Sequence, residues 1–331
     1  MIREILWHSS KLRRIIAGTE WAERPLAVVG LVLAAAAWGI SFVVTRGAVA
    51  NYPVVGFLFL RFAVGAGILA TFAALSPSAR ASWRVAPKGK LVLLGAVLAA
   101  AYLAQTLGLE LGATPGVAAV LTSLAVVITP ALEWGLRGRT PDVRVAAGAS
   151  LALAGSLLVC LAVPTPSGPT HNQAAIGMAL ELAAAVAFSL QVVLVGQLGH
   201  RVPAIALGAW QLLVLAAVLG VAVPFTGGLS LPTGAVLLDV VFCGLAASAF
   251  AFAVQAAAQQ HVSSSTAALI MAIEPAIAMV GGAVAGMQAL TPLALLGLFL
   301  LSSGSAAYGG TRVLTLARRF LSPLQGLPRP T

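Results

Sequence analysis

Residues 26–45 read LAVVGLVLAAAAWGISFVVT, twenty residues in a row without a charged side chain. A helix of about 20 apolar residues is long enough to cross the ~30 Å hydrocarbon core of a bilayer. This stretch therefore predicts a transmembrane helix, and the rest of the chain repeats the pattern.

Nine further apolar runs follow, separated by short segments that carry turn residues or charges. The ten runs are 26–45, 54–75, 90–109, 116–136, 145–163, 175–196, 203–223, 235–257, 262–285 and 292–313. The break between the third and fourth runs is the weakest, and without it the count would be nine. The sequence predicts an all-α integral membrane protein with ten transmembrane helices.

The composition supports this fold class and excludes several others. Hydrophobic residues make up 60% of the 331 residues and charged residues only 8%, whereas about a quarter of a soluble domain is charged. A soluble enzyme, a nucleic-acid-binding domain and a disordered protein are thereby excluded, and the predicted partner is the lipid bilayer. Neither the two Cys nor the four His indicate a disulfide framework, a metal site or a cofactor.

The distribution of basic residues predicts the orientation. If the N-terminus is inside, all of the 19 Lys and Arg residues except Arg46 and Arg61 belong to segments on the cytoplasmic side. The positive-inside rule then predicts that both termini lie in the cytoplasm. The protein is expected in the inner or plasma membrane of the cell. Residues 1–25 form a cytoplasmic leader without a signal-peptide pattern, either an interfacial helix or an unstructured tail. Residues 314–331 form a basic cytoplasmic tail.

Ten helices suggest two repeats of five, 26–163 and 175–313, and repeats of odd length insert with opposite orientation. Residues 115–121, PGVAAVL, are similar to residues 264–270, SSTAALI, and each segment is followed by a proline inside the helix, Pro130 or Pro275. The two prolines are closer together in the numbering than the two segments are, which predicts that the halves have drifted in register. The alternative is chance similarity between two Ala-rich helices.

Five short motifs follow one another along the chain: WGISF at 38–42, LRF at 60–62, QTLGL at 105–109, LTSL at 121–124 and AALIMAIEP at 267–275. Their order and spacing resemble the EamA type of the drug/metabolite transporter superfamily. The resemblance implies two inverted repeats around a central cavity, and export of small organic solutes such as amino acids, amines or metabolites. This sequence departs from the family pattern at the ends of the fourth and ninth helices. The family's Gly-Glu is replaced there by Gly138-Arg139 and by Gly286-Met287-Gln288.

Glu274 is the first candidate for a functional residue. It lies 12 residues into the ninth run, about 18 Å from the membrane surface and close to the midplane. Pro275 cannot donate to the carbonyl of Met271, so the helix is expected to open beside the acid. A carboxylate with free carbonyls at this depth suits a cationic group of a solute or a proton as coupling ion. A protonated acid with a structural role is the alternative.

Other polar and aromatic residues at similar depth complete the predicted substrate site: Trp38, Tyr102, Gln105, Phe188, Ser248 and Glu181, with Gln191 and Gln255 as further candidates. Aromatic rings beside a carboxylate can enclose an amine; ordinary helix packing is the alternative reading of Trp38 and Phe188. Arg61 matches the arginine of the family's second helix and is predicted to be structural, with Glu181 at a depth that allows a pair. Glu133 is within one turn of Arg137.

The predicted function is a secondary transporter that works by alternating access, with a small molecule as substrate and no catalytic residues. An intramembrane enzyme and a channel-like facilitator are the alternatives. The sequence has no paired His, no Asp-rich pair and no Gly-x-Ser-x-Gly for an enzyme, and no repeated filter for a channel.

Overall fold

The computed structural model describes residues 2–138, 140, 143–162 and 170–304, and these residues form helices and turns without a strand. The α-helices are Ile2–Val49, Val54–Leu75, Pro77–Val85, Lys88–Glu110, Pro115–Thr122, Ala125–Arg137, Val143–Ala162, Thr170–Leu198, Ala204–Ala222, Gly234–Phe242, Ala251–Ala258, Ser264–Met271, Glu274–Val284 and Pro292–Gly304. A 3₁₀ turn at Val223–Phe225 and a π-helix at Cys243–Phe250 complete the described elements.

Nine segments of the described chain are long and apolar enough to cross a membrane. Spans 1 to 9 are, in order, Leu26–Val49, Val54–Leu75, Lys88–Glu110, Pro115–Leu136, Val145–Ala162, Asn172–Leu198, Ala204–Phe225, Gly234–Ala258 and Ser264–Val284. Span 10 is the shorter apolar helix Pro292–Gly304, and residues 305–313 of its predicted run lie outside the described part, as does the tail 314–331. The predicted all-α membrane protein with ten helices in two repeats is confirmed.

The leader is helical from Ile2 and continues into span 1 without a break. Its predicted position on the membrane surface stays a prediction. The third and fourth spans are separate helices, because the chain turns at Leu111–Thr114 and Thr114 accepts a hydrogen bond from the backbone N–H of Val117. The weakest break of the sequence is therefore a real one, with an N-cap that starts span 4.

The packing of the spans has the pattern that an inverted repeat requires. Span 3 packs on span 6, and the equivalent span 8 packs on span 1. Span 4 contacts span 6 just as span 9 contacts span 1, while spans 2 and 7 pack against each other. A two-fold operation that exchanges spans 1–5 with spans 6–10 reproduces each of these contacts.

Spans 4 and 9 are both interrupted, and at equivalent positions. The first helix segments of spans 4 and 9 start at Pro115 and Ser264, and the second segments start at Ala125 and Glu274. The two starts in each pair are separated by the same number of residues. Within spans 4 and 9, the predicted drift in register is therefore wrong. The two prolines are simply not equivalent, because Pro275 stands in the first turn of its helix segment and Pro130 stands inside one.

Spans 5 and 10 approach so closely that only glycine fits at their crossing. A Cβ on Gly155 would meet the carbonyl oxygen of Gly297, and one on Gly304 would be about as close to the carbonyl of Gly148. Gly148 and Gly297 are separated by as many residues as Gly155 and Gly304, and the starts of spans 4 and 9 have the same separation. The glycines of each pair are therefore equivalent residues of the two repeats. Small residues let backbones meet in lipid, where packing drives helix association.

Candidate functional site

A central cavity of about 80 Å³ lies between spans 1, 3, 4, 6, 8 and 9. Its wall consists of Trp38, Ser41, Phe42, Tyr102, Gln105, Thr122, Ser123, Ala125, Val126, Phe188, Gln191, Val192, Phe252, Gln255, Ala268, Met271, Ala272 and Glu274. Five of the seven residues proposed from sequence for substrate binding are among them, and so are the two additional glutamines. A wall of apolar side chains with a few polar groups is typical of small-molecule sites.

The wall is built from equivalent residues of the two repeats. Span 1 contributes an aromatic residue and a polar residue three positions later, and span 6 does the same; spans 3 and 8 form a second such pair. The matches, all with one common offset in numbering, are Trp38 with Phe188, Ser41 with Gln191, Phe42 with Val192, Tyr102 with Phe252 and Gln105 with Gln255. A site on the two-fold axis of an inverted repeat is expected to have such paired walls.

Glu274 breaks this symmetry, because the offset that relates the starts of spans 4 and 9 makes Ala125 its equivalent on span 4. It is the first residue after the interruption of span 9, so its half-buried side chain stands in the first turn of the helix Glu274–Val284. The partial positive charge of a helix N-terminus stabilises a carboxylate there. Span 1 packs tightly against this point, since a Cβ on Gly39 would lie 2.8 Å from the backbone oxygen of Glu274.

Four aromatic side chains form a connected wall beside the acid. The ring centroids of Trp38 and Phe252 are 5.4 Å apart, and those of Tyr102 and Phe188 are 5.1 Å apart in an edge-to-face arrangement. The Trp38 indole N–H donates to the backbone oxygen of Ala247 at 2.8 Å, which fixes the ring to span 8. Ring faces held in place next to one carboxylate can attract an ammonium group.

Arg61 lies behind this wall. Its guanidinium carbon is 5.2 Å from the Tyr102 ring centroid and 4.7 Å from that of Phe62, and Nη1 donates to Thr45 Oγ1 at 3.3 Å. The side chain is 1% exposed and does not line the cavity. These contacts with spans 1, 2 and 3 support the structural role proposed for it.

Three glutamines from spans 6, 7 and 8 form a hydrogen-bonded cluster at the cavity wall. Gln191 Nε2 donates to Gln211 Oε1 at 3.0 Å and to Gln255 Oε1 at 3.2 Å, and Gln255 Nε2 donates back to Gln191 Oε1 at 3.3 Å. Gln211 is fully buried behind the other two. An amide needs a partner in lipid, and here Gln191 and Gln255 supply it to each other, while Gln211 Nε2 has no hydrogen-bond partner among the described residues.

Ser248 does not line the cavity in the described structure. The π-helix Cys243–Phe250 has wider turns than an α-helix, so it rotates the residues on its two sides relative to each other. Phe252 and Gln255 therefore face the cavity, while Ser248 is buried against Gly65 of span 2. α-Helical spacing alone predicts the wrong face for residue 248.

Glu181 also lies away from the cavity. It is two helical turns before Phe188 on the same face of span 6, about 10 Å further along the axis. There span 3 closes over it, with Gly108 against its carboxyl group, and the side chain is fully buried. Neither of its oxygens has a hydrogen-bond partner among the described residues, so the predicted pair with Arg61 is wrong.

The wall residues that sequence reasoning missed include Ser41, Phe42, Thr122, Ser123 and Phe252. The signal for Phe252 and Ser41 was present, because the offset that relates Trp38 to Phe188 also leads from Tyr102 to Phe252 and from Gln191 back to Ser41. Within the described part of the chain, no group of three His, Cys, Asp or Glu side chains could hold a metal ion.

Known proteins support the same fold. The model of the EamA-like transporter family matches residues 25–161 and again residues 175–308. A solved structure described as "Crystal structure of protein" is similar over 89% of this chain and 98% of that chain, with a TM-score of 0.66 and 20% identity, which shows a common fold. No curated protein matches this chain.

Proposed function

The chain belongs to the EamA-like transporter family, and from this premise we propose that it is a secondary transporter that exports small organic solutes carrying an ammonium group. Amines, amino acids and related metabolites form the substrate class. The solute binds in the central cavity, and the spans around it open alternately to the two sides of the membrane. The protein resides in the cell membrane with both termini in the cytoplasm.

The observation that carries this proposal is the single carboxylate among the residues of the cavity wall. Glu274 stands at a helix break in the middle of span 9 and lines the same cavity as the rings of Trp38 and Phe252. A carboxylate supplies the charge that an ammonium group needs, and the ring faces supply further attraction for a cation. The neutral amides of Gln105, Gln191 and Gln255 offer hydrogen bonds to the rest of the solute.

A proton is the second candidate occupant of Glu274. An acid that releases its proton as it binds a cationic solute on one side of the membrane, and releases the solute as it takes up a proton on the other side, would couple the two movements in opposite directions. The acid could also bind the ammonium group without any proton movement. The two forms of the proposal differ in whether a pH gradient drives accumulation of the solute.

The experiment has two steps. A panel of amines and amino acids is first screened for solutes from which overexpression protects a host strain. A protective solute is then tested with the purified protein in liposomes. We expect flux that saturates with solute concentration, needs no nucleotide and returns the solute unchanged. A chemically altered product would favour an intramembrane enzyme, and flux that never saturates would favour a channel-like facilitator.

A further inference from the structure

Glu133 joins the two repeats at one end of the cavity. Its Oε2 accepts a hydrogen bond from the backbone N–H of Ser265 at 3.1 Å and another from the Ser265 hydroxyl. Ser265 stands in the first turn of span 9, and Glu133 lies close to the end of span 4. The carboxylate is 7% exposed and stands at a helix N-terminus, where the helix dipole favours a negative charge. The predicted neighbour of Glu133, Arg137, has a side chain outside the described part.

Gln288 makes the corresponding connection at the other end. Its Oε1 accepts a hydrogen bond from the backbone N–H of Gly116, in the first turn of span 4, at 2.9 Å. Its Nε2 donates to the backbone oxygen of Met279 at 2.8 Å. The amide fits a slot where a Cβ on Gly116 would meet Gln288 Nε2 and one on Gly282 would lie 3.0 Å from Gln288 Cδ.

The two contacts are related by the inverted repeat. Spans 4 and 9 run antiparallel, so the start of each lies beside the end of the other, on opposite faces of the membrane. In both contacts, a side chain at or beyond the end of one span binds the N-terminal backbone N–H of the other. Gly116 and Ser265 are equivalent residues, since each is the second residue of its span. The Glu133 contact therefore joins the start of span 9 to the end of span 4, and the Gln288 contact joins the start of span 4 to the end of span 9.

We propose that Glu133 and Gln288 are the two gating residues of the transport cycle, each closing one end of the contact between spans 4 and 9. Alternating access requires that one end of this contact separates while the other stays closed. The Glu133 contact opens when the cavity faces the side where span 1 begins. The Gln288 contact opens when the cavity faces the opposite side.

The two contacts differ in chemistry, and this difference sets the resting state. Glu133 accepts two hydrogen bonds on one charged oxygen, whereas Gln288 accepts one on a neutral amide. Charge-assisted hydrogen bonds are roughly twice as strong as neutral ones. The end with Glu133 is therefore the more firmly closed, and the empty transporter favours the state that opens at the Gln288 end.

The inference rests on the proposed function but can be tested without a solute. Cys160 and Cys243 are replaced by Ala, and Ser41→Cys places one thiol in the cavity wall. A membrane-impermeant maleimide is added to one side of the membrane in spheroplasts and to the other side in inverted vesicles. The labelling rate from each side reports how often the cavity opens to that side.

Removing each contact should shift the labelling in opposite directions. We expect Glu133→Ala to raise labelling from the side where span 1 begins by roughly fivefold or more, and to lower it from the other side. Gln288→Ala should do the reverse. Two control variants remove the same groups from exposed positions, Glu110→Ala and Gln173→Ala, and should leave both rates unchanged.

The opposite signs make the test independent of which face is cytoplasmic. If both variants shift labelling in the same direction, if only one shifts it, or if neither does, the assignment of paired gating residues is overturned. If Glu133→Ala folds poorly, Glu133→Gln keeps the side-chain volume and an acceptor, and it should give a smaller shift with the same sign; no shift would overturn the assignment. Labelling needs no substrate, so absent flux of a tested solute would count against the proposed function alone.

Discussion

At the scale of single residues, the cavity combines a symmetric wall with one asymmetric charge. Aromatic and polar side chains recur at equivalent positions of the two repeats, but the equivalent of Glu274 is Ala125. The α-helical rise per residue predicts that Trp38, Tyr102, Phe188 and Glu274 lie at similar depth in the membrane, and at this depth they line one cavity. The rise alone does not predict where Glu181 and Ser248 point, since that depends on which span closes over each position and on a π-helix that hydropathy does not show.

Arg61 gives the first prediction at this scale. Arg61→Ala removes a buried side chain that contacts Phe62, Tyr102 and Thr45, so it should lower the yield of folded protein and its thermal midpoint in detergent by about 2 °C or more. The exposed Arg84→Ala is the matched control and should leave both unchanged. Normal yield with lost transport would instead place Arg61 in the binding site.

A double mutant tests the separation of Arg61 from Glu181. Because the structure shows no hydrogen bond between them, the effects of Arg61→Ala and Glu181→Ala on the free energy of unfolding should add to within about 0.5 kcal/mol. The measurement is a double-mutant cycle in detergent. A coupling well above this value would mean that the two side chains form the ion pair suggested by their similar depth.

At the scale of helices, the interruptions and the glycine crossings determine the site. The interruption of span 9 brings Glu274 to a helix start, and the N-caps Thr114 and Ser263 begin spans 4 and 9 at equivalent positions. The sequence similarity between 115–121 and 264–270 marked this equivalence correctly. The prolines suggested a drift within spans 4 and 9 that is absent, because a proline is tolerated both in the first turn and at a kink, so its position does not define register.

The crossing of spans 5 and 10 is tested by a pair of matched glycine substitutions. Gly155→Ala places a methyl group 2.6 Å from the backbone nitrogen of Leu301 and should destabilise the protein by roughly 1–3 kcal/mol. Gly67→Ala adds the same methyl group where nothing lies within 4 Å, so it should be neutral or stabilise by up to about 1 kcal/mol. Thermal unfolding in detergent separates them, and equal effects would contradict the close approach of the two spans.

At the scale of the whole molecule, hydropathy and length were enough to predict ten membrane-crossing helices in two repeats. Each run of about 20 apolar residues has one structure available to it in a bilayer, a helix with all backbone hydrogen bonds satisfied internally. How the helices pack was not readable in this way, because nearly every face is apolar and small residues occur throughout. The paired contacts of the inverted repeat supply that arrangement.

Orientation in the membrane is the prediction at this scale. All basic residues except Arg46 and Arg61 fall on one side, so a reporter fused after Thr331 should be active only in a form that works in the cytoplasm. A reporter inserted between residues 164 and 173 should be active only in a form that works outside. The opposite pair of results would rule out the N-terminus-inside orientation.

The central claim is that Glu274 binds the transported solute, or a proton exchanged for it. Glu274→Gln keeps the size of the side chain and removes its charge. In liposomes it should show the thermal stability of the unmodified protein and lose roughly tenfold or more of its initial transport rate for a saturable amine, since hydrogen bonds to charged groups contribute about 1.5–3 kcal/mol. Glu110→Gln, at the exposed end of span 3, should transport normally. Transport by Glu274→Gln at the unmodified rate between about pH 6 and pH 8 would show that this acid is structural and that the solute binds elsewhere.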